Sequence, residues 1–138
     1  MANSLKQFTI RKLREPTEKD ISKDIEWVCN SLGFITPRDY DKTAFRILKA
    51  LIAASKEGSG MTSEELTQVV KPTIGSVIYH LKKLMRAGLV VKLGPKYELK
   101  MRSLQKTVDE LNREVNAILS DIKNVAKDID TAMGLEHR

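Results

Sequence analysis

The sequence predicts a mainly α-helical protein with one short β-ribbon. Apolar residues recur at steps of three and four around residues 21–32, 41–55, 73–87 and 101–132, which is typical of amphipathic helices. Between the third and fourth of these segments, two short runs rich in branched and aromatic side chains flank a Gly-Pro turn, a pattern typical of a hairpin. A chain of 138 residues is the size of one small domain with extensions.

The N-terminal 40 residues are predicted to be a basic segment followed by a helix. Residues 1–14 contain four basic residues and no acidic one. This segment could pack on the core or extend from it as a basic arm, since terminal segments are often disordered unless tied down. Thr17 is a suitable N-cap for the first helix and Gly33 for its end, and Asp41 is a suitable cap for the second helix.

Residues 62–87 contain the signals of two consecutive helices joined by a tight connection. Thr62 and Glu65 have the spacing of a capping box, and the first helix must stop at Lys71 because Pro72 follows it. Thr73 can cap the second helix, which should end near Ala87 with Gly88 as a left-handed cap.

The second of these helices has two different faces. One face carries an apolar stripe formed by Ile74, Val77, Leu81 and Leu84, with Ile78 and Met85 on its flank. At about 100° per residue, the opposite face is small, hydroxylated and basic: Gly75, Ser76, Tyr79, Lys82, Lys83 and Arg86.

A ribbon follows, with residues 89–93 as one strand, Gly94-Pro95 as the turn and residues 96–99 as the returning strand. The segments TSEEL (62–66), VIYHLKKL (77–84) and AGLV (87–90) resemble the winged-helix cores of small prokaryotic and archaeal transcription regulators, including the ArsR type. The resemblance covers less than half of the chain. It implies a winged helix-turn-helix in residues 41–100, whose second helix lies in the DNA major groove while the ribbon lies along the backbone.

Positive charge is concentrated on this predicted unit. Residues 71–106 contain nine basic residues and one acidic residue, Glu98, so their net charge is +8 and the rest of the chain sums to −2 of the total +6. This distribution is expected for a protein that binds a polyanion, although a charged run can also be only a solvated surface.

Residues 101–138 are predicted to form a coiled-coil helix. Apolar residues alternate between steps of three and four from Met101 to Ala132. The a positions Val108, Val115, Ile122 and Ile129 are all β-branched, which in a parallel pair favours two strands. The alternative is packing within the subunit on the helix at 21–32. We expect homodimerisation through Leu104, Val108, Leu111, Val115, Ile118, Ile122, Val125 and Ile129. The charged residues that flank the stripe do not indicate whether the pair is parallel or antiparallel.

Several classes of protein are not indicated. Cys29 is the only cysteine, which fits a reducing cytoplasm, and no apolar run approaches the roughly 18 residues of a membrane span. His80 and His137 are the only histidines and have no second ligand in sequence, so we expect no metal or cofactor. No serine or cysteine has a base partner and no glycine loop has the phosphate-binding pattern, so we do not expect an enzyme.

The resulting hypothesis is a homodimeric transcription regulator that binds double-stranded DNA in the cytoplasm, associated with the nucleoid. Cationic side chains would contact phosphates, hydroxyl groups would reach base edges, and the start of the helix would approach the backbone. The phosphate-contacting residues would be Lys82, Lys83, Arg86, Lys92 and Lys96. Ser76 and Tyr79 would reach base edges, and Thr73 and Gly75 form the start of the helix.

Two alternatives remain. Ile74 and Ile78 stand where such regulators usually carry polar residues, and Gly75 has no side chain, which favours an architectural protein that coats DNA with little sequence preference. The same apolar positions are compatible with a winged helix used for protein contact. The sequence indicates no effector ligand.

Overall fold

The computed structural model describes residues 6–17, 19–34 and 42–135. The predicted class is confirmed: in these residues the fold is mainly helical, with one small antiparallel sheet and a long last helix. The elements in chain order are α1 (Ile21–Ser31), α2 (Thr43–Lys56), β1 (Met61–Thr62), α3 (Ser63–Val70), α4 (Ile74–Arg86), β2 (Val90–Leu93), β3 (Lys96–Leu99) and α5 (Leu104–Met133).

The predicted caps of α3 and α4 are present. Thr62 Oγ1 accepts from the Glu65 N–H at 3.1 Å while Glu65 Oε1 accepts from the Thr62 N–H at 2.8 Å, which completes the capping box. Thr73 Oγ1 accepts from the Ser76 N–H at 3.2 Å at the start of α4. Beyond α4, Gly88 has φ +83°, the left-handed conformation that was expected of it.

The predicted start of α1 is wrong. Asp20 is the N-cap, because its Oδ1 accepts from the N–H groups of Ser22 at 2.9 Å and Lys23 at 3.3 Å. Residues 6–16 belong to no helix or strand and Thr17 lies in a bend, so Thr17 is outside the helix. Earlier in this segment, the Arg11 N–H donates to the Ser31 carbonyl at 2.7 Å. Asp41 and His137 lie outside the described residues.

The wing has one more strand than the predicted ribbon. The sheet order is β1-β3-β2, and all pairs are antiparallel. Gly60 makes the approach of β1 to β3 possible, because a Cβ atom at this position would lie 2.7 Å from the Tyr97 carbonyl oxygen and 2.5 Å from Glu98 Cγ. Immediately before β3, Gly94 (φ +60°) followed by Pro95 forms the two-residue turn, as predicted.

The core is built around α2, which packs against α1, α3, α4 and β3. Its buried side chains meet those of the apolar faces of α3 and α4 and of the inner face of the wing. The fully buried large residues are Ile47, Leu48, Leu51, Leu66, Val77, Leu81, Leu84, Leu89 and Leu99. This packing determines which face of α4 is turned outward.

The described part of the basic N-terminal segment is packed on the domain. The Gln7 N–H donates to the Arg86 carbonyl at 3.3 Å, and Phe8 packs against the core next to Gly88. The beginning of the described segment, around Gln7 and Phe8, is therefore packed on the core and does not extend away from it as an arm. The exposed Lys12 and Arg14 still project from it.

Candidate nucleic-acid interface

The outward face of α4 is the best candidate for a binding surface. Val77, Leu81 and Leu84 are fully buried, so the helical rotation turns Gly75, Tyr79, Lys82 and Arg86 away from the core. Tyr79 is 59% exposed, and Lys82 and Arg86 are exposed. The four residues form one continuous row along the helix, with the small and aromatic positions first and the cations last.

Tyr79 is held in a cluster with its neighbours. The Nζ atom of Lys83 lies 5.5 Å from the centroid of the Tyr79 ring, within range of a cation–π interaction. On the other side, the His80 ring meets Tyr79 edge to face, with 5.2 Å between centroids. The half-buried Lys83 thus adds its charge beside the aromatic ring rather than at the centre of the row.

The hydroxyl groups at the start of α4 differ in how accessible they are for binding a ligand. Thr73 is exposed, but its Oγ1 is engaged as the cap of α4 by the Ser76 N–H. Ser76 is half-buried at the edge of the outward face. Gly75 is open: a Cβ atom there would have no other atom within 4 Å. The first turn of α4 therefore offers close access to its backbone.

The two cations of the wing point to opposite faces of the ribbon. Lys92 is paired with Tyr97 and Lys96 with Leu93, and residues directly opposite in antiparallel strands share a face. Lys92 lies over the Tyr97 ring, with Nζ 5.5 Å from its centroid. Both lysines were predicted to contact phosphates from the wing, and the register places them on opposite faces of it.

Lys96 has an acidic neighbour on α3. The Thr62 N–H, by donating to the Glu65 carboxylate, holds the pKa of Glu65 below its ordinary value, and the positive charge of Lys96 lowers it further. Glu65 and Lys96 are both exposed, so water screens this attraction. The two wing lysines therefore differ mainly in the face of the ribbon on which they lie.

Lys6 also lies at this surface, although its position in the sequence did not predict it. Lys6 lines an open pocket of about 240 Å³ together with Lys82, Met85 and Arg86, at the end of α4. The residues are far apart in sequence, and only the return of the N-terminal segment to Arg86 brings them together. The excess of basic residues in 1–14 was the one feature of the sequence that could have indicated a contribution of this segment to the cationic surface.

A family model described as a helix-turn-helix domain matches residues 41–92. The match extends from the residues before α2 into β2, and so includes the whole of α4. Together with the three-stranded sheet, it confirms the winged helix-turn-helix and supports the resemblance to regulators of this fold. The narrower resemblance to small prokaryotic and archaeal regulators stays a prediction. No curated protein and no solved structure matches the chain.

The long helix that follows the winged helix-turn-helix divides its apolar stripe in two. Near its start, Thr107 is fully buried and Leu111 is 6% exposed beside Gly88, so this part packs within the subunit. Leu104 and Val115 are half-buried, and Val115 packs against the core. The remaining positions of the predicted dimer stripe are exposed: Val108, Ile118, Ile122, Val125 and Ile129.

Other kinds of site are not evident in the described part of the chain. Within residues 6–17, 19–34 and 42–135, no three His, Cys, Asp or Glu side chains are grouped so that they could hold a metal ion. Over the same residues, none of the helices has the length and apolar character needed to cross a membrane.

Proposed function

We propose that this protein is a transcription regulator that binds double-stranded DNA as a homodimer, at the nucleoid in the cytoplasm. The observation that carries the proposal is the outward face of α4, where Tyr79, Lys82 and Arg86 are exposed on a helix-turn-helix. In this fold the second helix of the pair is the one that enters the major groove.

We propose that the cationic side chains contact phosphates and that the hydroxyl groups contact bases. Lys82, Lys83 and Arg86 contact phosphates from the last turns of α4, and Lys92 contacts them from the wing. Lys96 contributes less, because it lies on the face of the ribbon opposite Lys92. Tyr79 and Ser76 reach base edges, Gly75 lets the groove come close, and Thr73 holds the start of the helix in shape.

The homodimer is supported by the far half of α5. Residues 116–135 are exposed in the single chain, yet they carry an apolar stripe in which Ile122 is 58% exposed and Val125 is 59% exposed. An isolated helix is marginally stable in water, and a continuous exposed apolar stripe marks a contact surface. A second α5 fits it, because the stripe keeps a heptad repeat with β-branched a positions. Two-fold pairing would present two α4 helices to the DNA.

An architectural role is the second candidate. The first two turns of α4 offer few hydrogen-bonding groups for base edges, since Ile74 and Gly75 have none and Thr73 is used as a cap. A protein of this kind would bind all duplexes with similar affinity. Selection from random DNA separates the candidates: a sharply defined site supports a regulator, and no enrichment supports an architectural protein.

The proposal is tested by titrating labelled genomic and random duplexes with the full chain at several salt concentrations. We expect retention at low salt and a steep loss of affinity with salt, because phosphate contacts release counterions. The Lys82→Ala/Lys83→Ala variant should bind more weakly and with a smaller salt slope. Lys123→Ala/Lys127→Ala, on the exposed far half of α5, is the matched control and should bind as wild type. Absence of retention at low salt would overturn the proposal and favour a winged helix used for protein contact.

A further inference from the structure

The start of α4 has an unusual chemistry for a helix that reads DNA. Residues 73–81 contain no Asn, Gln, Asp, Glu, Lys or Arg, which are the side chains that make bidentate hydrogen bonds to base edges or accept from cytosine. The hydroxyl of Thr73 is engaged as the cap of α4. The hydroxyl groups of Ser76 and Tyr79 are the main hydrogen-bonding groups left at the groove end of the helix, and Ile74 beside them is apolar.

Three adjacent positions define the apolar surface. Ile74, the first residue of α4, is 43% exposed although its i+3 neighbour Val77 is fully buried. Around the helix, Gly75 falls between Ile74 and Tyr79, and a Cβ atom at Gly75 would contact nothing within 4 Å. The missing side chain leaves a shallow gap between an aliphatic and an aromatic group.

This gap lies in the same row as the cations of the proposed interface. Gly75 and Tyr79 precede Lys82 and Arg86 on the outward face, so phosphate contacts at the end of α4 would bring its start against the floor of the major groove. The only apolar group that bases present in the major groove is the C5-methyl group of thymine.

We infer that Ile74, with Tyr79 across the gap at Gly75, contacts thymine methyl groups, so that the protein selects A·T pairs through apolar contact rather than through hydrogen bonds. This inference rests on the proposed function, because it requires α4 to lie in the major groove. Burial of one methyl group corresponds to about fourfold in affinity.

The test compares two duplexes that differ only in this methyl group. One is an alternating A·T duplex, and the other is the same duplex with uracil in place of every thymine. Affinities of the full-length protein are measured by fluorescence anisotropy at one low salt concentration. The variants are Ile74→Ala and, as control, Ile21→Ala, since Ile21 is also an exposed isoleucine at the first position of a capped helix.

Wild type and I21A should bind the thymine duplex at least about fourfold more tightly than the uracil duplex. I74A should show a smaller preference for the thymine duplex, because only the Tyr79 ring would remain to contact the methyl groups. Equal affinity of wild type for both duplexes, or an undiminished preference in I74A, overturns the inference. In those cases the proposed function still stands if K82A/K83A weakens binding to both duplexes. Failure of wild type to bind either duplex overturns the proposed function and the inference together.

Discussion

The Glu114 carboxylate accepts a hydrogen bond from the Nζ atom of Lys100, and this contact joins the first half of α5 to the residue that follows the wing. Lys6 approaches the same carboxylate, with 3.1 Å between Nζ and Oε2. One acidic residue thus connects α5, the end of β3 and the N-terminal segment. These contacts hold the start of α5 in place beside Gly88, where Leu111 is buried.

The Glu114→Gln variant should lower the free energy of unfolding by about 1 kcal/mol near neutral pH, because the ion pairs are lost while the side chain keeps its size. Burial opposes ionisation of Glu114, but hydrogen bonds from Lys100 and Lys6 outweigh it and hold the pKa of Glu114 below its ordinary 4.5. The hydrogen bond to Glu114 raises the pKa of Lys100 above 10.5.

The stabilisation from Glu114 is therefore complete above about pH 4.5 and disappears as the pH falls through its lower value in the folded protein. The contribution of Lys100 is complete below about pH 10.5 and is lost as the pH rises through its raised pKa. Urea unfolding at a series of pH values should show wild type and E114Q converging at both extremes. For Asp109→Asn, at an exposed position of the same helix, the plot of unfolding free energy against pH should run parallel to that of wild type.

The two wing lysines should contribute unequally to DNA affinity. Lys92→Ala is expected to reduce the slope of log affinity against log salt by about 0.9, the value for one phosphate contact. Lys96→Ala should reduce it less, because Lys96 lies on the other face of the ribbon. Anisotropy titrations at several salt concentrations measure both slopes. Equal slopes for K92A and K96A would contradict the placement of Lys92 against the backbone.

The exposed half of α5 should determine the oligomeric state. We expect light scattering to give twice the chain mass of 15.6 kDa for wild type and the mass of a single chain for Ile122→Glu/Val125→Glu. Both positions are exposed in the single chain, so the charges disturb a contact between copies rather than the fold. Asn124→Glu, on the opposite side of the helix, should remain dimeric. A dimeric I122E/V125E protein would show that α5 does not pair through this stripe.

Gly75 and Gly60 should respond in opposite directions to the same substitution. Gly75→Ala should raise the free energy of unfolding by about 0.5–1 kcal/mol, because alanine favours the helix and its Cβ meets open space. Gly60→Ala should lower it by about 1–3 kcal/mol, because the new Cβ would collide with the Tyr97 carbonyl and separate β1 from β3. Thermal or urea unfolding measures both effects.

The G75A variant also bears on the interface. Its added methyl group would fill the gap at the start of α4, so DNA affinity should fall although stability rises. A variant that is both more stable and at least as tight in binding would show that the groove does not approach Gly75. Anisotropy on the duplexes used for the wild type provides the measurement.

Features encoded by neighbours along the chain could be predicted from the sequence. The capping box of Thr62 and Glu65, the cap at Thr73 and the left-handed Gly88 were predicted correctly, because each depends on groups three or four residues apart. The same holds for most of the apolar face of α4, since Val77, Leu81 and Leu84 are buried as predicted. The prediction was wrong for Ile74, which is 43% exposed because it is the first residue of the helix, where less of the core reaches it. The start of α1 was missed because Thr17 and Asp20 are both residue types that cap helices. In the structure, Asp20 is the one whose side chain accepts from the first N–H groups of the helix, those of Ser22 and Lys23.

The sequence by itself determined the helical class, the winged helix-turn-helix and the concentration of positive charge on it. Only the tertiary structure decided that β1 adds a third strand, that Lys6 joins the end of α4, and that Lys92 and Lys96 face apart. It also divided the stripe of α5 between its own core and an open surface. The physical reason is that these features depend on contacts between residues distant in sequence, and the periodicity of one segment contains no information about which surface it will meet.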